Sequence, residues 1–140
     1  MINKILIGMS QALYEEFGDN YNIYTESIEQ GLDVPCFLIT NIVHTHNAKL
    51  CNRYQDNNSF MVQYFPISNT DAFSEIHNVI SRLEDILEWI SVDSSRVRGT
   101  NMESKVDDGV LNFQVDYNVR SVKRTEEEER MNNLKYKGVV

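Results

Sequence analysis

Asp108-Gly109 constrains this chain more than any other pair of neighbours. A two-residue hairpin turn of the kind that matches strand twist needs positive φ at both central positions. Asp-Gly between alternating hydrophobics supplies that at little steric cost. With these two residues as the turn, Asp107 faces Val110 and Val106 faces Leu111. Carried outward, the register sets Met102 opposite Val115 and Thr100 opposite Tyr117. Leu111, Phe113, Val115, Tyr117 and Val119 then share one face with Val106 and Met102. Asn112, Gln114, Asp116 and Asn118 share the other with Asn101, Glu103 and Lys105. A one-residue slip would turn every apolar side chain to the wrong side. Turn chemistry and alternation agree on one register, so residues 97–122 are expected to form a hairpin with one dry face and one wet, amide-rich face.

The remaining elements supply what covers the dry face. Ile2, Ile5, Leu6, Met9, Ala12, Leu13 and Phe17 recur at helical spacing, and Gly18-Asp19-Asn20 stops that helix. Residues 21–27 are aromatic and β-branched enough for a strand, and Gly31 and Pro35 bracket an irregular connection. Residues 36–43 are apolar almost throughout, as in a strand covered on both faces. Residues 60–65 form a second such strand, also read as covered on both faces and ended by Pro66. The Asn-rich stretch 44–59 between them is expected to be a long, wet, mobile hairpin tip, and a loop of that length in a small domain often has a job. Asn69, Thr70 and Asp71 suit a helix start. Phe73, Ile76, Ile80, Leu83, Leu87 and Ile90 follow as a helical stripe, widened by Val79 and Ile86. Trp89 sits off that stripe, either packed at the helix edge or anchoring an interface. Thr125 and the glutamates after it suit the first turn of a short helix, with only Met131, Leu134 and Tyr136 to dock it. The order predicts an α+β fold: a mostly antiparallel four- to five-stranded sheet flanked by two helices, with a long hairpin loop. The 140 residues fit one domain over 1–124, followed by a C-terminal arm or short helix over 125–140.

Charge and chemistry narrow the function. A formal net charge of −8 repels phosphate, so nucleic acid and anionic membrane are poor default partners. Seven tyrosines are present without an interleaved basic stripe. No apolar run approaches the roughly 20 residues that span a bilayer, and the start lacks the apolar core and cleavage site of a signal peptide. The chain is therefore expected to be made in a cytosol, with Cys36 and Cys51 as reduced thiols. His44, His46 and Cys51 are the only tight group of metal-type ligands. The two histidines would share one side of a strand, but a fourth ligand is missing and a solvated tip explains them as well. Cys36 precedes an apolar run, where a buried thiol is inert, and Cys51 with His46 is a weak nucleophile–base pair. Glu84, Asp85 and Glu88 read as a solvated helix side, and Glu126 to Glu129 as a charge run. There is no Gly-x-Ser-x-Gly elbow, and the six glycines are scattered singly, without a phosphate loop. The expectation is no enzyme, no metal and no cofactor. Strand surface in excess of its own helices points instead to burial against neighbouring subunits.

Four stretches carry a resemblance. They are Ile23 through Leu32 (IYTESIEQGL) followed by Pro35-Cys36-Phe37-Leu38-Ile39; Asn52-Arg53-Tyr54; Tyr64-Phe65-Pro66; and Asp107-Asp108-Gly109-Val110-Leu111-Asn112-Phe113 running on to Val115-Asp116-Tyr117. In this order and spacing the chain resembles the tail terminators of tailed phages, defective prophages and phage-tail-like bacteriocins, from the first helix to about residue 122. The resemblance implies a sheet flanked by two helices and no catalysis. It implies a ring, typically a hexamer, that binds the last ring of the tail tube protein, stops its polymerisation and presents a surface to the neck or connector. The sheath protein is a further candidate partner, and DNA enters only as passing cargo. Such a part assembles in the host bacterial cytoplasm and ends in a virion or tail-like particle. Matching motif positions are Arg53, Tyr54, Asp108 and Gly109. With His44, His46 and Trp89 they form the candidate subunit or tube interface. The 44–59 stretch is expected to touch a neighbour or line the channel, where acidic residues would let DNA slide. The rivals are another neck or head-completion part, a small metal-dependent hydrolase built on His44 and His46, and a monomeric interaction module.

Overall fold

The computed structural model describes residues 2–25, 33–67 and 72–122. The expected turn at Gly31, the helix start at residues 69–71 and the arm 125–140 lie outside the described residues. The elements are α1 (Ile2–Phe17) with a single 3-10 turn (Gly18–Asn20), β1 (Asn22–Tyr24), β2 (Cys36–Ala48), β3 (Arg53–Phe65), α2 (Ala72–Ile86), β4 (Trp89–Val92), β5 (Ser95–Asp107) and β6 (Val110–Val122). They build one six-stranded sheet in the order β1-β2-β3-β6-β5-β4. β1 runs parallel to β2, and the other pairs are antiparallel. The α+β class and the two flanking helices are as the sequence predicts. The sheet is larger than the expected four to five strands, and it is mixed.

On β6 the dry face is where the alternation put it, whereas Val106 of β5, expected on the same face, is exposed beside the turn. Phe37 and Ile39 of β2, Phe60, Val62 and Tyr64 of β3, and Leu111, Phe113, Val115 and Tyr117 of β6 meet Ile5, Met9, Leu13 and Phe17 of α1 and Ile76, Val79 and Leu83 of α2. Each large apolar side chain so buried contributes about 1.5–3 kcal/mol. Phe17, Tyr21, Phe37 and Tyr64 form an aromatic cluster with ring centroids 4.7–6.2 Å apart. Helix α1 touches both edge strands, β1 and β4. It lies so close to β4 that a β-carbon on Gly8 would stand 2.5 Å from the Ser91 carbonyl oxygen.

Three expectations change. The long 44–59 loop does not exist: β2 runs to Ala48, β3 starts at Arg53, and Val43↔Ser59, His44↔Asn58 and His46↔Asp56 are cross-strand pairs. Polar residues read as loop because they stand on strand positions beyond the last core residues. Second, α2 ends at Ile86, and Trp89–Val92 is a strand. Ile90 fits a helical stripe three residues after Leu87, but it is buried together with Val92 at a strand's period of two. The chain leaves the helix because its next carbonyls are claimed elsewhere. The Tyr117 hydroxyl donates to Leu87 C=O at 2.6 Å, and the Gly99 N–H donates to Glu88 C=O at 2.6 Å. Phe73, the first residue of the supposed stripe, is 73% exposed. Third, the predicted β5–β6 register holds from Asp107↔Val110 to Glu103↔Gln114, then shifts at a bulge, so that Gly99 rather than Thr100 faces Tyr117. A β-carbon there would meet the Leu87 carbonyl oxygen at 2.5 Å and Val115 Cγ2 at 2.9 Å, so only glycine fits. Coverage of both faces holds for Cys36, Phe37, Leu38 and Ile39 of β2. It fails for β3, where Phe60, Val62 and Tyr64 are buried while Met61, Gln63 and Phe65 are only half-buried.

Candidate interaction surface

The β2–β3 hairpin, flanked along β3 by β6, carries most of the residues singled out from the sequence. Its outer half runs past the core. On the side that faces the helices the apolar series is replaced by a polar ladder. His44 Nδ1 lies 2.6 Å from Asn58 Oδ1, and His46 Nδ1 is hydrogen-bonded to Asp56 Oδ1. Tyr54 stacks on His46, with ring centroids 4.7 Å apart and planes 9° from parallel. Asn58 is 1% exposed, and its amide donates to the Tyr117 carbonyl at 3.2 Å. A buried amide with both ends engaged avoids the cost of an unmade hydrogen bond and ties β3 to β6 at one register. Ile2 and Asn3 at the start of α1 face His44 and Asp56 across a cleft of about 370 Å³.

The other side of the sheet is free of helices among the described residues and carries the predicted amides. Gln63 donates to Asn112 at 2.9 Å, Ser59 to Asp116 at 2.6 Å, and Asn101 to Asp116 at 3.0 Å. The hairpin closes tightly. The Arg53 N–H reaches the Leu50 carbonyl over Cys51 and Asn52, both at φ 60, as in a type I′ turn. Lys49, Arg53 and Arg120 line a groove of about 500 Å³ at this end, with Tyr54 on its wall.

The sequence-named residues do not converge. His44, His46 and Tyr54 meet on the helix side of the hairpin, and Arg53 stands at its turn. Asp108 and Gly109, at φ 52 and 74, close the β5–β6 turn at the opposite end of the sheet. Trp89 is on edge strand β4, not on a helix. It is 44% exposed beneath the guanidiniums of Arg96 and Arg98, which lie 5.0 and 5.7 Å from its ring centroid. Asp56 and Asn58 were missed. Their signal was there: His-x-His and Asp-x-Asn stand as mirror images about residue 51, the pattern of paired strand positions.

What this arrangement can do is hold shape and present edges. His44 and His46 do share a side, but each ring is engaged by Asn58 or Asp56. Among the described residues no group of three or more His, Cys, Asp or Glu is placed to hold a metal. Cys51 is exposed, and Cys36 is buried. Burial raises the Cys36 thiol above its ordinary range, with a smaller push from Asp33, which keeps it protonated and unreactive. No helix among the described residues is long and apolar enough to cross a membrane.

A family model described as phage tail terminator protein matches residues 4–129. No curated protein matches the sequence. Among solved structures 24 chains match. One of these, whose name describes no activity, has a TM-score of 0.47 and 10% identity, over 88% of this chain and 96% of that chain.

Proposed function

The chain belongs to the phage tail terminator family, and from that premise we propose that it is a structural part which forms a ring on the last ring of a tail tube, stops the tube growing and offers its other side to the neck. The observation that carries this reading is the family match, which spans residues 4–129 and so takes in every described strand, α2 and all of α1 but its first two residues. The site geometry supports it. Along β2, β3 and β6 the polar side chains of His44, Asn58, Ser59 and Gln63 are spent on hydrogen bonds between strands. A tube grows by adding rings through one repeated surface. A terminator must offer that surface on one side only, which calls for stiff elements held in fixed register. The hydrogen-bonded β2–β3–β6 unit is such an element, and His44, His46, Arg53 and Tyr54 are the positions on it that would meet a neighbouring copy or the tube.

The test is electron microscopy of tail tubes polymerised with and without the protein. Tubes of defined length bearing a cap at one end are expected with it, and tubes of uncontrolled length without it. Tubes of equal length distribution in the two samples, with no density at either end, would remove the reading.

A further inference from the structure

Charge is sorted along the strands of this sheet. At one end lie Lys49, Arg53 and Arg120, all exposed, around the groove of about 500 Å³. None of them makes an ion pair among the described residues, where the salt bridges are Lys4–Asp93, His46–Asp56, Arg82–Glu16 and Arg98–Glu88. At the other end Asp107 and Asp108 are exposed at the β5–β6 turn, with Lys105 two residues before them and the exposed Glu103 four residues up β5 from Asp107. That turn stands in open space: a β-carbon on Gly109 would meet nothing within 4 Å.

The two ends cannot neutralise each other within one molecule. Arg53 pairs with Val122 at one limit of the β3–β6 ladder, and Tyr64 pairs with Leu111 at the other, next to the turn. A strand of 13 residues rising ~3.3 Å per residue separates the ends by about 40 Å. Charges in water are screened over ~8 Å at physiological salt. Within the described residues a chain with a net charge of −8 thus keeps a groove with three cations that make no ion pair at one end, and a narrow, protruding turn with two exposed aspartates at the other.

We propose that the β5–β6 turn of one copy docks in the Lys49/Arg53/Arg120 groove of the next, joining copies head to tail. The proposal rests on the reading of the chain as a ring-forming part and names the contact that would join its copies. The contact uses two different surfaces, so repetition gives either a closed ring or an open chain. Its charges are exposed, so they steer and select the partner at small desolvation cost.

The experiment is charge reversal followed by sedimentation velocity over rising protein concentration in low salt. One variant carries Lys49→Glu, Arg53→Glu and Arg120→Glu. A second carries Glu103→Lys and Asp107→Lys, leaving Asp108 and Gly109 to form the turn. A third carries all five. Circular dichroism confirms the fold of each; Arg53→Gln with Arg120→Gln replaces the first variant, and Glu103→Gln with Asp107→Asn the second, where a reversal fails to fold. The wild-type chain is expected to associate, each single-end variant to associate roughly tenfold more weakly or not at all, and the five-fold variant to regain association because both partners have changed sign. A wild-type chain that stays at 16.3 kDa throughout overturns the proposal, as do single-end variants that associate like the wild type or a folded five-fold variant that does not recover. Binding of a DNA duplex that the first variant loses, with its self-association intact, also overturns it and assigns the groove to nucleic acid. Tube capping is scored separately. Recovered head-to-tail association without capping removes the terminator reading alone, and capping without charge-dependent association removes the docking contact alone.

Discussion

Gly99 shows how much one position can decide. It stands opposite Tyr117, donates its N–H to Glu88 C=O, and has the Leu87 carbonyl where a β-carbon would go. The β5 bulge places glycine there, and the same contact turns the chain from α2 into β4. Gly99→Ala must push backbone against backbone, which flexible side chains cannot absorb. It is expected to cost about 1–3 kcal/mol, the range for overpacking a tight site. Chemical denaturation checks this, and an unchanged midpoint would show that the contact relaxes freely. Asn58 is the polar counterpart. Its amide links His44, β3 and the Tyr117 carbonyl in one chain of hydrogen bonds, so its identity fixes pairing in a stretch with little apolar pattern to do so.

At the scale of the element, the β2–β3 hairpin is a paired ribbon from Cys36↔Phe65 to Ala48↔Tyr54. A deletion of residues 47–56 would therefore cut strand out of both arms. Substitution at the turn is the sounder probe. Cys51 is held at φ 60, a conformation that costs a residue with an ordinary side chain about 1–2 kcal/mol and that asparagine tolerates better. Cys51→Asn is accordingly expected to stabilise the chain by roughly 0.5–1 kcal/mol, read as a raised midpoint in thermal unfolding. A lowered midpoint would mean that the exposed thiol has a packing role here. The β4–β5 turn uses the same device at Asp93 and Ser94, φ 49 and 67, without a glycine to announce it.

The whole molecule is a curled sheet whose two edge strands are bridged by α1, so its stability depends on tyrosines that tie the sheet to the helical layer. Tyr64 donates to Glu75 of α2 at 2.6 Å, and Tyr117 donates to Leu87 C=O just past its end. Burial raises both phenols far above the ordinary 10.0, and Glu75 adds to the effect at Tyr64. The sign follows from which form the fold prefers. The folded state holds the neutral phenol, while the unfolded chain ionises near 10.0, so this stabilisation is complete below that pH and falls as pH rises above it. A pH titration of phenolate absorbance is expected to show two of the seven tyrosines ionising only together with loss of the circular dichroism signal. Smooth ionisation of all seven before unfolding would refute it.

Local chemistry in the sequence determined the β5–β6 hairpin and its register as far as Glu103, the α1 stripe, the dry face of β6 and the α+β class. Each of these rests on neighbours close in the chain: a turn that needs positive φ, or a period that buries one side. The family, too, was legible in the order of short motifs. Tertiary contacts alone decided the rest. Ile90 fits both periods, and it became part of a strand because Tyr117 and Gly99, distant in sequence, claim the carbonyls before it. Residues 44–59 are polar in either state. They became strand because His44, His46, Asp56 and Asn58 find partners across the hairpin and in β6, an arrangement that exists only once three strands lie side by side. The parallel pairing of β1 with β2 likewise has no local signal, since it joins strands whose connection does not itself specify which neighbour they take.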